Sequence, residues 1–168
     1  FSYSGAFGVA ALAGGASRVT HVDVSAPALA LARENHAANG PDLSRVETVA
    51  ADAFEDLRAR VARGETWDVV VTDPPAFAKK TLDVDRACRG YKDVNRLALK
   101  LLAPGGLLLA CSCSGPVSAD LFQKVLFAAS LDAGVPVRLL ERRGAGPDHP
   151  VSIDCPETEY LKAFLLSR

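Results

Sequence analysis

Residues 67–77 read Trp67-Asp68-Val69-Val70-Val71-Thr72-Asp73-Pro74-Pro75-Ala76-Phe77. Three consecutive valines put apolar side chains on both sides of an extended chain, which predicts a strand buried on both faces, as in a parallel sheet. Asp73-Pro74-Pro75 stops the strand, because proline lacks a backbone donor and holds the residue before it in extended geometry. Ligands of open α/β sheets bind beyond such strand ends.

The same grammar repeats outward from this stretch. Upstream, a small-residue helix reaches about Gly14, and the runs Arg18–Asp23 and Arg45–Ala50 read as strands. Ser25 caps a helix with Pro27 in its first turn and Gly40 beyond its end, and a helix with Leu57 and Val61 on one face follows Asp52. Downstream, a polar loop leads to a helix near Val94–Leu102 closed by Pro104-Gly105-Gly106. A strand over Leu107–Cys111, a helix over Val117–Asp132 and two strands, Val137–Arg142 and Tyr160–Leu166, complete the pattern. Strands alternating with helices predict an α/β fold with a mostly parallel sheet, and two final strands without a helix between them predict an antiparallel hairpin. No repeat, low-complexity tract or linker interrupts the chain, so a single domain over residues 1–168 is expected. The first glycine turn stands at residue 1, where such folds place a strand before it. A first strand, and with it a preceding domain, is therefore expected upstream.

Composition sets outer bounds. With 168 residues and 49% apolar side chains, the chain can bury a sizeable core. No apolar stretch approaches the ~20 residues that cross a bilayer, and no cationic leader opens the sequence, so no membrane association is expected. Cys88, Cys111, Cys113 and Cys155 form no CxxC pair and no zinc spacing, which predicts reduced thiols, a cytoplasmic setting and no metal. Nineteen basic residues against twenty acidic ones give a net charge of −1, so affinity for nucleic acid must come from a local patch or from a segment outside this chain.

Chemistry-bearing residues cluster at strand ends. Gly5 and Gly8 occupy the first turn, where a missing side chain lets backbone approach a ligand. Asp23, ending a strand, can accept both hydroxyls of a ribose, and Asp52 with Phe54 can hold an adenine amino group and stack its ring. Taken singly, turn glycines are common and an aspartate after a strand is an ordinary helix cap. Their regular placement after successive strands points to a nucleoside pocket. A nicotinamide dinucleotide would fit such positions too, but Gly5-Ala-Phe-Gly8 lacks the first glycine of G-x-G-x-x-G. Asp73-Pro74-Pro75 with Phe77 resembles instead the segment that amino- and base-methylating enzymes hold against a target base.

The motifs Phe1-Ser-Tyr-Ser-Gly-Ala-Phe-Gly8, Asp23-Val-Ser25, Ala51-Asp-Ala-Phe54, Asp73-Pro-Pro-Ala-Phe-Ala-Lys79, Arg89-Gly-Tyr-Lys-Asp93, Cys111-Ser-Cys-Ser-Gly115 and Asp148-His-Pro150 follow in one order. From the first residue to the last, the chain resembles the bacterial ribosomal RNA large-subunit methyltransferase I family, which makes 5-methylcytosine. The resemblance implies a Rossmann-like class I methyltransferase fold and S-adenosylmethionine as methyl donor. It places Tyr3, Gly5, Gly8, Asp23, Val24, Asp52, Ala53, Phe54 and Asp73 at the donor. It also implies large-subunit ribosomal RNA as the partner and a PUA-type RNA-binding domain upstream.

Cytosine carbon 5 is a poor nucleophile until a thiolate adds to carbon 6. In RNA cytosine methyltransferases that cysteine follows a Gly-Gly strand in a Thr-Cys-Ser setting. Counting from Gly105-Gly106 gives Cys113 in Ser112-Cys113-Ser114, with Cys111 as a deeper, buried small hydrophobe. A nucleophilic Cys113 is expected to have a lowered pKa and to be alkylated before the other cysteines. Many such enzymes carry a second cysteine after Asp-Pro-Pro, and here it is Ala76. The base that removes the carbon 5 proton therefore stays open among Asp73, Lys79 and Lys92.

For RNA, Lys79, Lys80, Arg86, Arg89 and Lys92, interleaved with Phe77 and Tyr91, offer cations and stacking aromatics, though Asp83, Asp85 and Asp93 temper the patch. Arg142-Arg143 is a second, weaker candidate. His21, His36 and His149 stand far apart in the sequence, and a loop-fixing hydrogen bond is the expected role of His149. Two other readings remain open: guanine-nitrogen methylation of RNA, which needs no nucleophile, and a non-catalytic nucleotide-binding module or nicotinamide oxidoreductase.

Overall fold

The computed structural model describes residues 1–40 and 42–168, which form two compact units, Phe1–Asp56 and Leu57–Arg168.

In the first unit, helix α1 (Ala6–Ala13) leads to strand β1 (Val19–Asp23), helix α2 (Ala26–Ala38) and strand β2 (Val46–Ala50). Helix α3 (Ala53–Ala62) begins here and carries the chain into the second unit. Ser25 caps α2 as expected, its hydroxyl accepting the Ala28 amide at 3.3 Å with proline in the first turn. Leu29, Ala32 and His36, spaced three and four apart, are its buried stripe. β1 and β2 pair in parallel from Val19 opposite Val46 to Asp23 opposite Ala50. Asp23 and the Asp52 turn therefore leave the same end of this sheet.

The second unit holds strands β3 (Trp67–Thr72) and β4 (Leu102–Ser112), helices α4 (Val84–Lys100) and α5 (Ala119–Ala133), and strands β5 (Arg138–Arg143) and β6 (Lys162–Ser167). The sheet order is β3-β4-β6-β5, with β3 parallel to β4 and β6 antiparallel to both neighbours. The expected hairpin is present, and its second strand inserts between the first and β4. A chain of aromatic contacts, Phe77–Tyr91–Phe122–Phe164, runs through the core at centroid spacings of 4.7, 5.5 and 5.4 Å.

Three expectations change. Val69 and Val71 are 55% and 37% exposed, so among the described residues β3 is not buried on both faces, and β4 is the strand paired with it, its other side standing where the first strand expected upstream would lie. The helix expected near Val94 begins ten residues earlier, because Ala87, Tyr91, Val94 and Ala98 form a helical stripe fully withdrawn from water. That stripe outweighs the charged residues and Gly90, where a Cβ would meet the Phe77 ring at 3.1 Å. Finally, Pro104-Gly105-Gly106 lies inside β4 rather than closing α4. The register moves from Trp67–Leu102 to Val69–Leu107, and Gly105 takes φ 79° to absorb the extra residues.

Candidate functional site

In the first unit the opening loop is tied to the end of β1. Tyr3 adopts φ 45°, a left-handed conformation uncommon for a side-chain-bearing residue, and its amide donates to Asp23 Oδ2 at 3.0 Å. The Ser25 amide donates to Asp23 Oδ1, also at 3.0 Å. Burial alone would push this carboxyl up, but the Ser25 and Tyr3 amides outweigh it and hold Asp23 below the usual carboxylate range. A carboxylate offers about four acceptor positions, so the anion fixed here can still take ligand hydroxyls. Val24 beside it is 71% exposed, an open apolar surface next to the charge.

Asp52 follows the same plan. Its Oδ1 accepts the amides of Phe54 at 2.9 Å and Glu55 at 3.1 Å, capping α3, while Oδ2 carries no hydrogen bond among the described residues. Capping and ligand binding thus draw on different oxygens of one group. Ala53 is buried and Phe54 half-buried, its ring edge-on to Phe1 at 6.3 Å.

Gly5 and Gly8 have a reason that sequence reading did not supply. A Cβ at Gly8 would stand 2.4 Å from His21 Cε1 and 2.8 Å from Val19 Cγ1, and one at Gly5 would stand 2.8 Å from Ala32 Cβ. The space left by the missing side chains is filled by the protein's own β1 and α2. His21, which does the filling, meets His36 with Nε2 atoms 2.8 Å apart. Two histidines far apart in sequence are a buried pair. Burial, then the charge of His36, bring His21 down to about 4, so both rings are neutral near pH 7.

In the second unit β3 and β4 end side by side, Thr72 opposite Ala110. Asp73-Pro74 and Cys113 consequently leave neighbouring strands at one end, and the Cys113 thiol donates to the Pro74 carbonyl at 3.7 Å. Ser114 secures this end. Its hydroxyl accepts the Ala78 amide at 2.9 Å and pairs with the Tyr91 hydroxyl at 2.9 Å, and its carbonyl accepts from Lys162 Nζ at 2.6 Å. Thr72 donates to Asn95 Oδ1 at 2.8 Å, and Asn95 Nδ2 donates to the Tyr91 carbonyl at 2.8 Å, so the same turn of α4 also holds the end of β3.

The electrostatics correct one expectation. The Cys113 thiol is raised, not lowered: burial and then the charge of Asp73 disfavour the thiolate, with the Lys162 ammonium acting against them. Cys111, buried two residues earlier, is pushed up to about 12 by burial, Asp73 and Cys113. Asp73 keeps solvent-accessible surface, yet the protein crowded around it pushes its carboxyl upward. Cys155 is exposed, so it rather than Cys113 presents the most accessible thiol.

Several expected RNA contacts are otherwise engaged. Tyr91 is fully buried and Phe77 packs on it, so neither is a free stacking platform. Lys92 pairs with Asp132 at 2.8 Å and Arg86 with Asp83 at 3.1 Å. Lys79 and Lys80 remain exposed. Arg143 pairs with Glu141 at 2.5 Å, Arg142 donates to Gln123, and His149 contacts Asp148 at 3.1 Å on the surface. Ser114, Asn95, Thr72 and Lys162 were missed. Lys162 left a readable signal, since it alternates in phase with Phe164 and Leu166, the buried face of β6. Among the described residues no three His, Cys, Asp or Glu side chains group as metal ligands, and no helix is long and apolar enough to cross a membrane.

A family model of S-adenosylmethionine-dependent methyltransferases matches residues 1–167. The chain belongs to this family. This methyltransferase chain is 51% identical over 164 residues to ribosomal RNA large subunit methyltransferase I of Photobacterium profundum, covering 98% of this chain and 41% of that protein. Its identity to the protein of the same name from Klebsiella pneumoniae is 50%, with the same coverage. It thus spans about two fifths of the length of these relatives. A crystal structure of SMU.776 complexed with SAH superposes with a TM-score of 0.86 at 27% identity, over 99% of this chain and 43% of that one. The Rossmann-like α/β fold and S-adenosylmethionine as the cofactor of the methyltransferase follow.

Proposed function

We propose that this methyltransferase chain is the catalytic part of a larger enzyme that methylates carbon 5 of a cytosine in large-subunit ribosomal RNA, with Cys113 as nucleophile. The observation that carries the proposal is the placement of Cys113 Sγ 3.7 Å from the Pro74 carbonyl, which sets a thiol against the Asp-Pro-Pro segment at one strand end. The relatives named for large-subunit ribosomal RNA support the substrate.

The donor set in the first unit suits S-adenosylmethionine. Asp23 is a fixed anion for ribose hydroxyls, Asp52 Oδ2 is an acceptor for the adenine amino group, and Val24 and Phe54 are apolar surfaces for the ring, with Tyr3, Gly5, Gly8 and Ala53 shaping the loops. The bound donor supplies an electrophilic sulfonium methyl. Asp73 and the Pro74 carbonyl hold the cytosine amino edge. With the donor bound, the Cys113 thiolate would bond to carbon 6, carbon 5 would take the methyl group as its bond to the sulfonium sulfur breaks and leaves a neutral thioether, and a base would remove the carbon 5 proton as the sulfur–carbon 6 bond breaks and returns the thiolate. Asp73, whose raised carboxyl makes it a stronger base than an ordinary aspartate, is the group we assign to that proton.

RNA containing 5-fluorocytosine has no carbon 5 proton to lose, so it should trap a covalent adduct with the full-length enzyme and S-adenosylmethionine, mapped by mass spectrometry to Cys113. Guanine-nitrogen methylation is the second reading, and the raised Cys113 thiol favours it. Methylated guanosine in the nucleoside digest, with no adduct, would establish that reading instead.

A further inference from the structure

We propose that Lys162 is a positioning residue for Cys113: its buried ammonium, held by the carbonyls of Ser114 and Tyr160, supplies the positive charge that offsets the Asp73 carboxylate at the thiolate. The inference rests on the reading of Cys113 as nucleophile.

Three observations place the lysine. The β4–β6 register sets Lys162 directly opposite Ser112, the residue before Cys113. Its Nζ donates at 2.6 Å to the carbonyl of Ser114, the residue after Cys113, and at 2.7 Å to the carbonyl of Tyr160. The side chain is 7% exposed, which for a lysine demands a compensating role. An ammonium has three donors, and these two carbonyls occupy two of them.

The groups around the sulfur explain why a cation is needed. From the end of β3, Asp73 opposes the thiolate with its charge, and the Pro74 carbonyl opposes it by accepting the thiol proton. From β4, Cys111 stays a neutral thiol. From β6, Lys162 is the cation among the described groups acting on Cys113, and each favours the charged form of the other. Burial disfavours the ammonium, and the two carbonyl acceptors offset that cost. Without the lysine, a half-buried thiol beside a carboxylate would ionise only at strongly alkaline pH.

The test compares the full-length protein with its Lys162→Gln and Lys162→Arg variants. Iodoacetamide alkylation of Cys113 is followed against pH by peptide mass spectrometry, with turnover and S-adenosylmethionine affinity measured alongside. Glutamine keeps amide donors for the carbonyls but carries no charge, whereas arginine keeps the charge. In Lys162→Gln the alkylation midpoint should move up by about one unit or more. Turnover at pH 7 should drop about tenfold and recover at higher pH, with donor affinity unchanged. In Lys162→Arg the midpoint should stay close to wild type. An unmoved midpoint in a folded Lys162→Gln protein overturns the inference, as does an arginine variant that shifts as far as glutamine. The two readings fail separately. If Cys113→Ala keeps turnover while the midpoint still depends on residue 162, the cytosine mechanism falls and the lysine–cysteine coupling stands.

Discussion

The two units build their strand ends in contrasting ways. In the first, the key carboxylates are set mostly by near neighbours: Asp52 by Phe54 and Glu55 two and three residues on, and Asp23 by the Ser25 amide two residues on, with the Tyr3 amide 20 residues before it as the one longer tie described. In the second, the groups around Cys113 arrive from distant parts of the chain: Pro74 lies 39 residues away, Ala78 lies 36 from its partner Ser114, and Lys162 lies 48 from it. Locally set groups need only a turn and a cap, so a short motif specifies them. Groups set at long range need the sheet and α4 to be in place, so their chemistry depends on packing.

The sharpest break of this contrast is Cys113→Ala, which should take turnover to background while S-adenosylmethionine affinity, measured by calorimetry, stays unchanged. Retained turnover would mean that the second unit positions a base without attacking it. Next in size is acid. His21 has a pKa of about 4 in the folded chain against 6.5 ordinarily, so between these values the unfolded chain binds more protons. Its contribution is complete above about pH 6.5 and is lost as pH falls towards 4, on the order of 3 kcal/mol at the limit. Denaturant titrations should show that loss, and His21→Gln should flatten it. Asp23→Ala should weaken donor binding roughly ten- to hundredfold, with Asp52→Ala losing less because its partner is a neutral amino group. Equal affinity in Asp23→Ala would remove the nucleoside assignment from the first unit. The smallest effect belongs to Cys111→Ala, which should keep most of the turnover and cost on the order of 1 kcal/mol of stability, read from the melting midpoint.

Legibility followed the same division. The order of strands and helices, the Ser25 cap and the C-terminal hairpin could be read because each rests on local propensity and period. The acids at the strand ends were legible for the same reason. The true start of α4 was not, because Ala87 and Tyr91 look like loop residues among charges until Phe122 and Ser114 meet them. The Cys113 thiol was expected low on chemical grounds and stands high, because the carboxylate of Asp73 and the depth of the strand end are tertiary facts.

Ser114 ties the loop at Ala78, helix α4 and strand β6 to the end of β4 through one residue, and this has a consequence for motion. The Ala78 amide has the Ser114 hydroxyl as its acceptor and lies outside any strand ladder, so it can reach solvent only when that hydroxyl lets go. Deuterium uptake at Ala78 should therefore keep the same clock as opening at the end of β4, slow for a loop amide, and Ser114→Ala should quicken it to the pace of an ordinary loop. Motion at the Asp-Pro-Pro turn would then be gated from the neighbouring strand.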